Sequence, residues 1–284
     1  MSGKLFLVAT PIGNLSDITL RALEVLRAVP CIAAEDTRRT RALLSHFGVA
    51  KKQLVSCDAH AGPGTLATLV ARLTAGEDIA LVTDAGTSSV SDPGTELVEL
   101  AAAAGISVVP IPGVSAVTAA VAASGLVQSA FTFIGFPPRQ GGKRRECLDR
   151  IASSPEPTVL FESPHRLSKT LTDLAQRIPE REAVICRELT KLHEEILRGS
   201  LAKLAEHEPS WRGEITLVIA AAEAVSEPSL AQTEELEIEI ERRLAAGESP
   251  RGVIDALAAS SGLSRRDVYR RVMQRHQLGE RGED

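Results

Sequence analysis

Residues 79–94 of this chain read IALVTDAGTSSVSDPG, an apolar run that ends at Asp84 and opens into a loop of small residues and carboxylates. Four consecutive apolar side chains, Ile79, Ala80, Leu81 and Val82, suit a strand buried on both faces of a parallel sheet. Gly86, Ser88 and Ser89 let a ligand approach the backbone closely, and Ser91 or Asp92 before Pro93 reads as the start of a helix. A phosphate loop presents backbone N–H groups and usually a lysine, whereas this loop carries Asp84 and Asp92 and no cation. That balance repels polyphosphate and suits ribose hydroxyls or a cationic ligand. S-adenosylmethionine, with its ribose, ammonium and sulfonium, offers both. A plain glycine-serine turn after a strand is the alternative reading.

Such a loop needs a sheet to carry it. Strand-like runs recur at 5–9, 31–35, 79–83, 107–111, 131–135, 158–162, 183–188 and 214–220, with helical stretches between most of them. The class is therefore α/β, with mostly parallel pairing expected. Residues 19–29, 95–104 and 114–124 have helical patterns, the last two stopped by Gly105 and Gly125. After 125–130 the strand-and-helix pattern begins again, which predicts two α/β lobes, 1–125 and 126–224, with a ligand between them. Residues 225–284 depart from it: a Glu-rich helix precedes two helical patterns broken at Ser260, Ser261 and Gly262, a helix-turn-helix-like arrangement. In the second of these Val268 and Val272 face inward and Arg265, Arg266, Arg270, Arg271 and Arg275 are left outside. The basic face serves either nucleic-acid phosphates or packing on the acidic segment before it. A 44% hydrophobic content supplies ample core. No window approaches the roughly 20 apolar residues that span a bilayer, so no membrane is expected. Four widely spaced cysteines without a CxxC pair imply neither disulfides nor zinc, and fit a reducing cytoplasm.

Four segments point the same way: residues 7–26 (LVATPIGNLSDITLRALEVL), 34–44 (AEDTRRTRALL), 84–94 (DAGTSSVSDPG) and 112–116 (PGVSA). Together they resemble the tetrapyrrole methylase family of S-adenosylmethionine-dependent methyltransferases. Within it, FESPHRL at 161–167 and CRELTKLHEE at 186–195 look like the branch that methylates the ribose 2′-oxygen of a cytidine in 16S rRNA of the small ribosomal subunit. The resemblance implies two α/β lobes with the cofactor folded between them, usually in a homodimer. It places the cofactor against Pro11, Asp84, Gly86 and Ser89, against Ser115 and Ala116, and, from the second lobe, against Phe161 and Leu189.

Methyl transfer from a sulfonium is already favourable, so the protein mainly aligns the reacting atoms and excludes water. The ribose hydroxyl needs a proton acceptor or a cation that stabilises the developing alkoxide. Asp36, Glu162, Glu188 and Lys191 are the catalytic candidates. Asp36 also reads as a helix cap, and Glu162 and Glu188 could instead pair with Arg166 or Arg187. The net charge of −5 does not favour RNA, but local charge does: Arg38 and Arg39, and the segment 137–146 with Arg139, Lys143, Arg144 and Arg145 in an apparent mobile loop. With one Trp and one Tyr, extensive stacking on bases is not expected.

Overall fold

The computed structural model describes residues 2–58, 61–87, 94–207, 210–222, 230–260 and 265–280, those at 230–235, 259–260, 265–267 and 276–280 without their side chains. The chain divides into two compact units, Met1–Ala222 and Glu223–Asp284.

The first half of the larger unit alternates strand and helix: β1 (Lys4–Val8), α1 (Leu20–Ala28), β2 (Cys31–Ala34), α2 (Thr37–His46), β3 (Gln53–Ser56), α3 (Pro63–Thr74), β4 (Ile79–Val82), α4 (Thr95–Ala103), β5 (Ser107–Ile111) and α5 (Ala116–Ser124). Its strands form one sheet in the order β3-β2-β4-β1-β5, parallel throughout. Alternate side chains leave a strand on opposite faces. Leu5, Ala33, Ile79 and Leu81 accordingly pack with Leu66, Leu69 and Leu97 of α3 and α4, whereas Val8, Ile32, Ala80 and Val82 pack with Leu26 and Leu44 of α1 and α2. Burial on both faces is why β2 and β4 are apolar at every position.

The second half contains β6 (Thr132–Phe133), α6 (Gly141–Ser153), β7 (Thr158–Glu162), α7 (Pro164–Ala175), β8 (Glu182–Arg187), β9 (Glu195–Ser200), α8 (Leu201–Glu206) and β10 (Ile215–Ile219). These strands form a second sheet in the order β6-β7-β10-β8-β9. The expectation of mostly parallel pairing fails here: β6 pairs parallel with β7, but β7–β10, β10–β8 and β8–β9 are antiparallel. The connection at 188–194 is too short for a parallel crossover, which needs a dozen or more residues. Because β10 runs against its neighbours, Ile215 lies opposite both Glu162 and Arg187, and the start of β10 joins the ends of β7 and β8 at one sheet edge. A second correction concerns the segment expected as a mobile loop, which is helical from Gly141 onward.

Helix α5 joins the two sheets. Val117 and Ala120 pack on Val159, Val184 and Val218, while the opposite face of the second sheet is covered by Leu148, Leu167 and Leu171 from α6 and α7. The smaller unit comprises α9 (Leu230–Ala245), α10 (Pro250–Ser260) and α11 (Arg265–Glu280) around Leu236, Ile240, Val253, Leu257, Val268 and Val272. Arg271 and Arg275 reach Glu237 at 3.0 and 2.8 Å, so these two cations of α11 pack on the acidic helix. No helix among the described residues is long and apolar enough to cross a membrane.

Candidate active site

A cavity of about 360 Å³ is walled by the segments that follow β1, β4 and β5 and by the matching edge of the second sheet. Ile12 follows β1, Ala85, Gly86 and Thr87 follow β4, and Ser115 and Ala116 follow β5. The other wall is formed by 161–164, Cys186, Leu189 and 213–216, together with Phe136 from the segment after β6. Carboxyl edges of open α/β sheets are where ligands bind, because the helices that return from them leave a crevice.

The loops of the first wall brace one another. Gly86, at φ 78°, exchanges backbone hydrogen bonds of 2.9 Å with Thr10 in an antiparallel bridge, a left-handed conformation that favours glycine. The Thr87 hydroxyl donates to the Val114 carbonyl at 3.2 Å, tying the β4 loop to the β5 loop. Ser115 and Ser163 cap α5 and α7 without a side-chain hydrogen bond. The first-turn N–H groups of α5 therefore remain available to a ligand, with the positive end of the helix dipole behind them, whereas α7 opens on Pro164, which has no N–H, and its Arg166 N–H donates to the Ser163 carbonyl at 3.0 Å.

Five residues expected at the cofactor, Gly86, Ser115, Ala116, Phe161 and Leu189, come together in this wall. Pro11 is buried immediately before Ile12, outside the wall, and Ser89 lies outside the described residues. Asp84 also stands outside it: its carboxylate accepts from the Asp36 N–H at 3.1 Å and pairs with Arg39 at 3.2 Å, while its own N–H donates to Glu35 at 3.1 Å. Asp84 thus ties the end of β4 to the end of β2.

The catalytic candidates fall into three settings. Asp36 is the N-cap of α2, accepting from the Arg38 N–H at 2.8 Å and from its guanidinium at 2.9 Å. Those hydrogen bonds, the guanidinium's first, hold its carboxyl down to about 2. Glu162 is 1% exposed and its carboxylate accepts from the Ser163 N–H at 2.8 Å, Arg166 Nε at 2.6 Å and the Thr170 hydroxyl at 2.6 Å. Glu188 and Lys191 form a pair at 2.7 Å, and Lys191 also reaches Glu214 at 3.1 Å. Burial alone would raise the Glu188 carboxyl, but the hydrogen bonds from Lys191 and the Glu214 N–H outweigh it and hold it below its ordinary range. Burial likewise works to lower Lys191, and its two carboxylate partners reverse that and hold it higher. Glu188 (φ 52°) and Thr190 (φ 68°) are non-glycine residues in left-handed conformations. The Thr190 hydroxyl accepts from the Asn14 N–H at 3.1 Å, linking this loop to the segment after β1.

Among the basic residues expected at RNA, Arg139, Lys143 and Arg145 are exposed, as are Arg38 and Arg39. Arg144 is a correction: it is 5% exposed and donates to Asp173 at 2.8 Å, Thr170 at 3.1 Å and the Pro138 carbonyl at 3.3 Å. Its place on the inner face of α6 buries it. Arg270 is exposed on α11, and the side chains of Arg265 and Arg266 lie outside the described ones. Sequence reasoning missed the Arg144–Thr170–Glu162 chain because its members come together only when α6 and α7 pack. It also missed Glu214 and Thr216, which enter the wall through the antiparallel direction of β10.

These features define a two-lobed α/β protein with one ligand cavity at the carboxyl edges of its strands. Residues 4–205 match the Tetrapyrrole (Corrin/Porphyrin) Methylases, and the chain belongs to that family. It is 43% identical over 271 residues to the Ribosomal RNA small subunit methyltransferase I of Halalkalibacterium halodurans, covering 94% of this chain and 93% of the relative. To the protein of that name from Synechocystis sp. it is 44% identical, covering 94% and 96%. Among solved structures, uroporphyrin-III C-methyl transferase from Thermus thermophilus complexed with S-adenyl homocysteine has a TM-score of 0.56 at 19% identity, over 77% of this chain and 97% of that one. A conserved hypothetical protein from Aeropyrum pernix K1 reaches 0.60 at 20% identity, over 98% of both. These last two likenesses show the shared fold.

Proposed function

We propose that this chain transfers a methyl group from S-adenosylmethionine to the ribose 2′-oxygen of a cytidine in 16S rRNA of the small ribosomal subunit. The observation that carries the reading is identity of 43 to 44% along 94% of the chain to proteins named as methyltransferases of small-subunit ribosomal RNA. The cavity fits the cofactor. Its volume of about 360 Å³ falls within the roughly 300–1,000 Å³ of small-molecule sites. Ile12, Phe161 and Leu189 offer apolar surface to an adenine, and the uncapped start of α5 offers N–H groups to a carboxylate. When bound, S-adenosylmethionine supplies a methyl group already activated by its sulfonium.

The protein's own residues orient the acceptor, exclude water and stabilise charge. Asp36, held near 2, is a weak proton acceptor, and the Glu162 carboxylate is already engaged by Ser163, Arg166 and Thr170. Lys191 remains a cation beside Leu189 and bonded to Glu214, both in the wall, and lowers the cost of a developing alkoxide. Arg139, Lys143 and Arg145 on and before α6, with Arg38 and Arg39 on α2, supply phosphate contacts. In this reading the protein works in the cytoplasm, as its unpaired cysteines fit, and as a homodimer, as the family resemblance implies.

The test offers labelled S-adenosylmethionine with either unmodified small subunits or uroporphyrinogen III. Label in the RNA supports the proposal, and label in the tetrapyrrole alone overturns it.

A further inference from the structure

We propose that Phe136 is the stacking platform for the base of the nucleotide being methylated, a role that rests on the ribosomal-RNA reading above. All the Phe and Trp side chains of Met1–Ala222 are described, and among them Phe136 stands apart: the residue is 57% exposed, and it lies in the cavity wall. Exposed apolar surface on a ring costs stability unless a partner covers it. The inner side of the ring rests on Phe161, with centroids 5.6 Å apart, and Phe161 rests in turn on Phe133 at 5.0 Å. The rest of its surface is open enough to leave the residue exposed in the cavity wall.

The segment bearing this ring is held unusually well. The Gly135 carbonyl accepts from the Phe161 N–H at 3.0 Å, Arg166 donates to the Pro137 carbonyl at 3.2 Å and Arg144 donates to the Pro138 carbonyl at 3.3 Å. Both arginines are themselves fixed, Arg166 by Glu162 and Arg144 by Asp173 and Thr170. Two ion pairs, each with one buried partner, therefore end on the carbonyls next to one exposed ring. Breaking such pairs is costly, so they hold their donors in one place. Preorganisation of this kind serves a contact that must be met at a fixed position.

The chemistry that position requires is a nucleobase. A 2′-oxygen reaches an enclosed methyl donor only when its nucleotide is turned out of its stack, and the freed base then seeks an aromatic face. Arg139, Lys143 and Arg145 follow Phe136 closely in the chain and are exposed, with no ion pair among the described residues, so phosphates of the same strand have cations beside the ring.

The experiment measures methylation of unmodified small subunits by the wild-type protein and by Phe136→Ala, Phe136→Leu and Phe136→Tyr, with cofactor affinity of each by calorimetry. Loss of the stacked face lowers kcat/KM by roughly ten- to a hundredfold in the Ala and Leu variants, Tyr restores it, and cofactor affinity stays within about twofold. Binding of an RNA with an abasic residue at the target should be equal for wild type and Phe136→Ala. Full activity of Phe136→Ala or Phe136→Leu, or a matching loss of cofactor affinity, overturns the stacking role while leaving the function standing. An inactive wild-type protein overturns the function and the stacking role with it.

Discussion

Gly86 and Lys191 carry the sharpest expectations for single residues. At φ 78° the Gly86 backbone suits glycine, and a Cβ there would come to 3.4 Å from Ile12 Cγ2. Gly86→Val adds about 1–2 kcal/mol of backbone strain and moves the β4 loop within the cavity wall. Calorimetry should show cofactor affinity falling on the order of tenfold or more, with Tm lower by roughly 2–8 °C; unchanged affinity would remove the loop from the site. For Lys191, Lys191→Met should lower kcat much more than cofactor affinity, because the cation acts on charge that develops in the transition state. Its raised folded value means its contribution is complete below 10.5 and lost only as pH rises beyond that. Glu188, held below 4.5, keeps its contribution above that value and loses it as pH falls through the lower folded value. The pair therefore stays intact between about pH 5 and 10, and a break in kcat near neutrality that disappears in Lys191→Met would contradict this. Gly86 was legible from turn chemistry at a strand end, whereas Ser115, Phe161 and Leu189 were expected only from the family resemblance; all four lie in the cavity wall. The protonation behaviour of Asp36 and Glu188 was not, since it depends on partners such as Arg38 and the Glu214 N–H that only local geometry supplies.

Helix α6 presents adjacent arginines to opposite environments. Arg144→Ala removes a buried partner of Asp173 and should cost about 3 kcal/mol, lowering Tm by roughly 6–12 °C. Arg145→Ala should leave Tm unchanged while weakening RNA binding and flattening its dependence on salt. Equal thermal stability of the two variants in scanning calorimetry would contradict the burial of Arg144. Composition placed both in a mobile basic loop, because helical phase within KRRE cannot be fixed without knowing what α6 packs against. The apolar runs that did announce strands, such as Ile79–Val82 and Ile215–Ile219, are the central ones, buried on both faces. Gln53–Ser56 and Glu195–Ser200 went unseen because edge strands are half exposed and their residues QLVS and EILRGS carry no continuous apolar signal. The same blindness hid the antiparallel second sheet, whose β8–β9 hairpin contains one of those edges.

At the scale of the whole chain, the units Met1–Ala222 and Glu223–Asp284 have separate apolar cores. The smaller core of Leu236, Ile240, Val253, Leu257, Val268 and Val272 buries less apolar surface and should melt first. Calorimetry of the full chain should resolve two transitions, and S-adenosylmethionine should raise only the upper one, since every residue of the cavity wall lies between 12 and 216. A cofactor that shifted both transitions equally would show the units to be coupled. The family's fold supports methyl transfer to chemically different acceptors, so what sets this chain apart is the acceptor, read from its full-length likeness and its basic surface. The most direct measurement is transfer of labelled methyl to small subunits lacking the modification, followed by nuclease digestion and identification of the labelled nucleoside. Label confined to 2′-O-methylcytidine at one position is the expected result. Label on a base, or no label in RNA from protein that binds the cofactor, would contradict it.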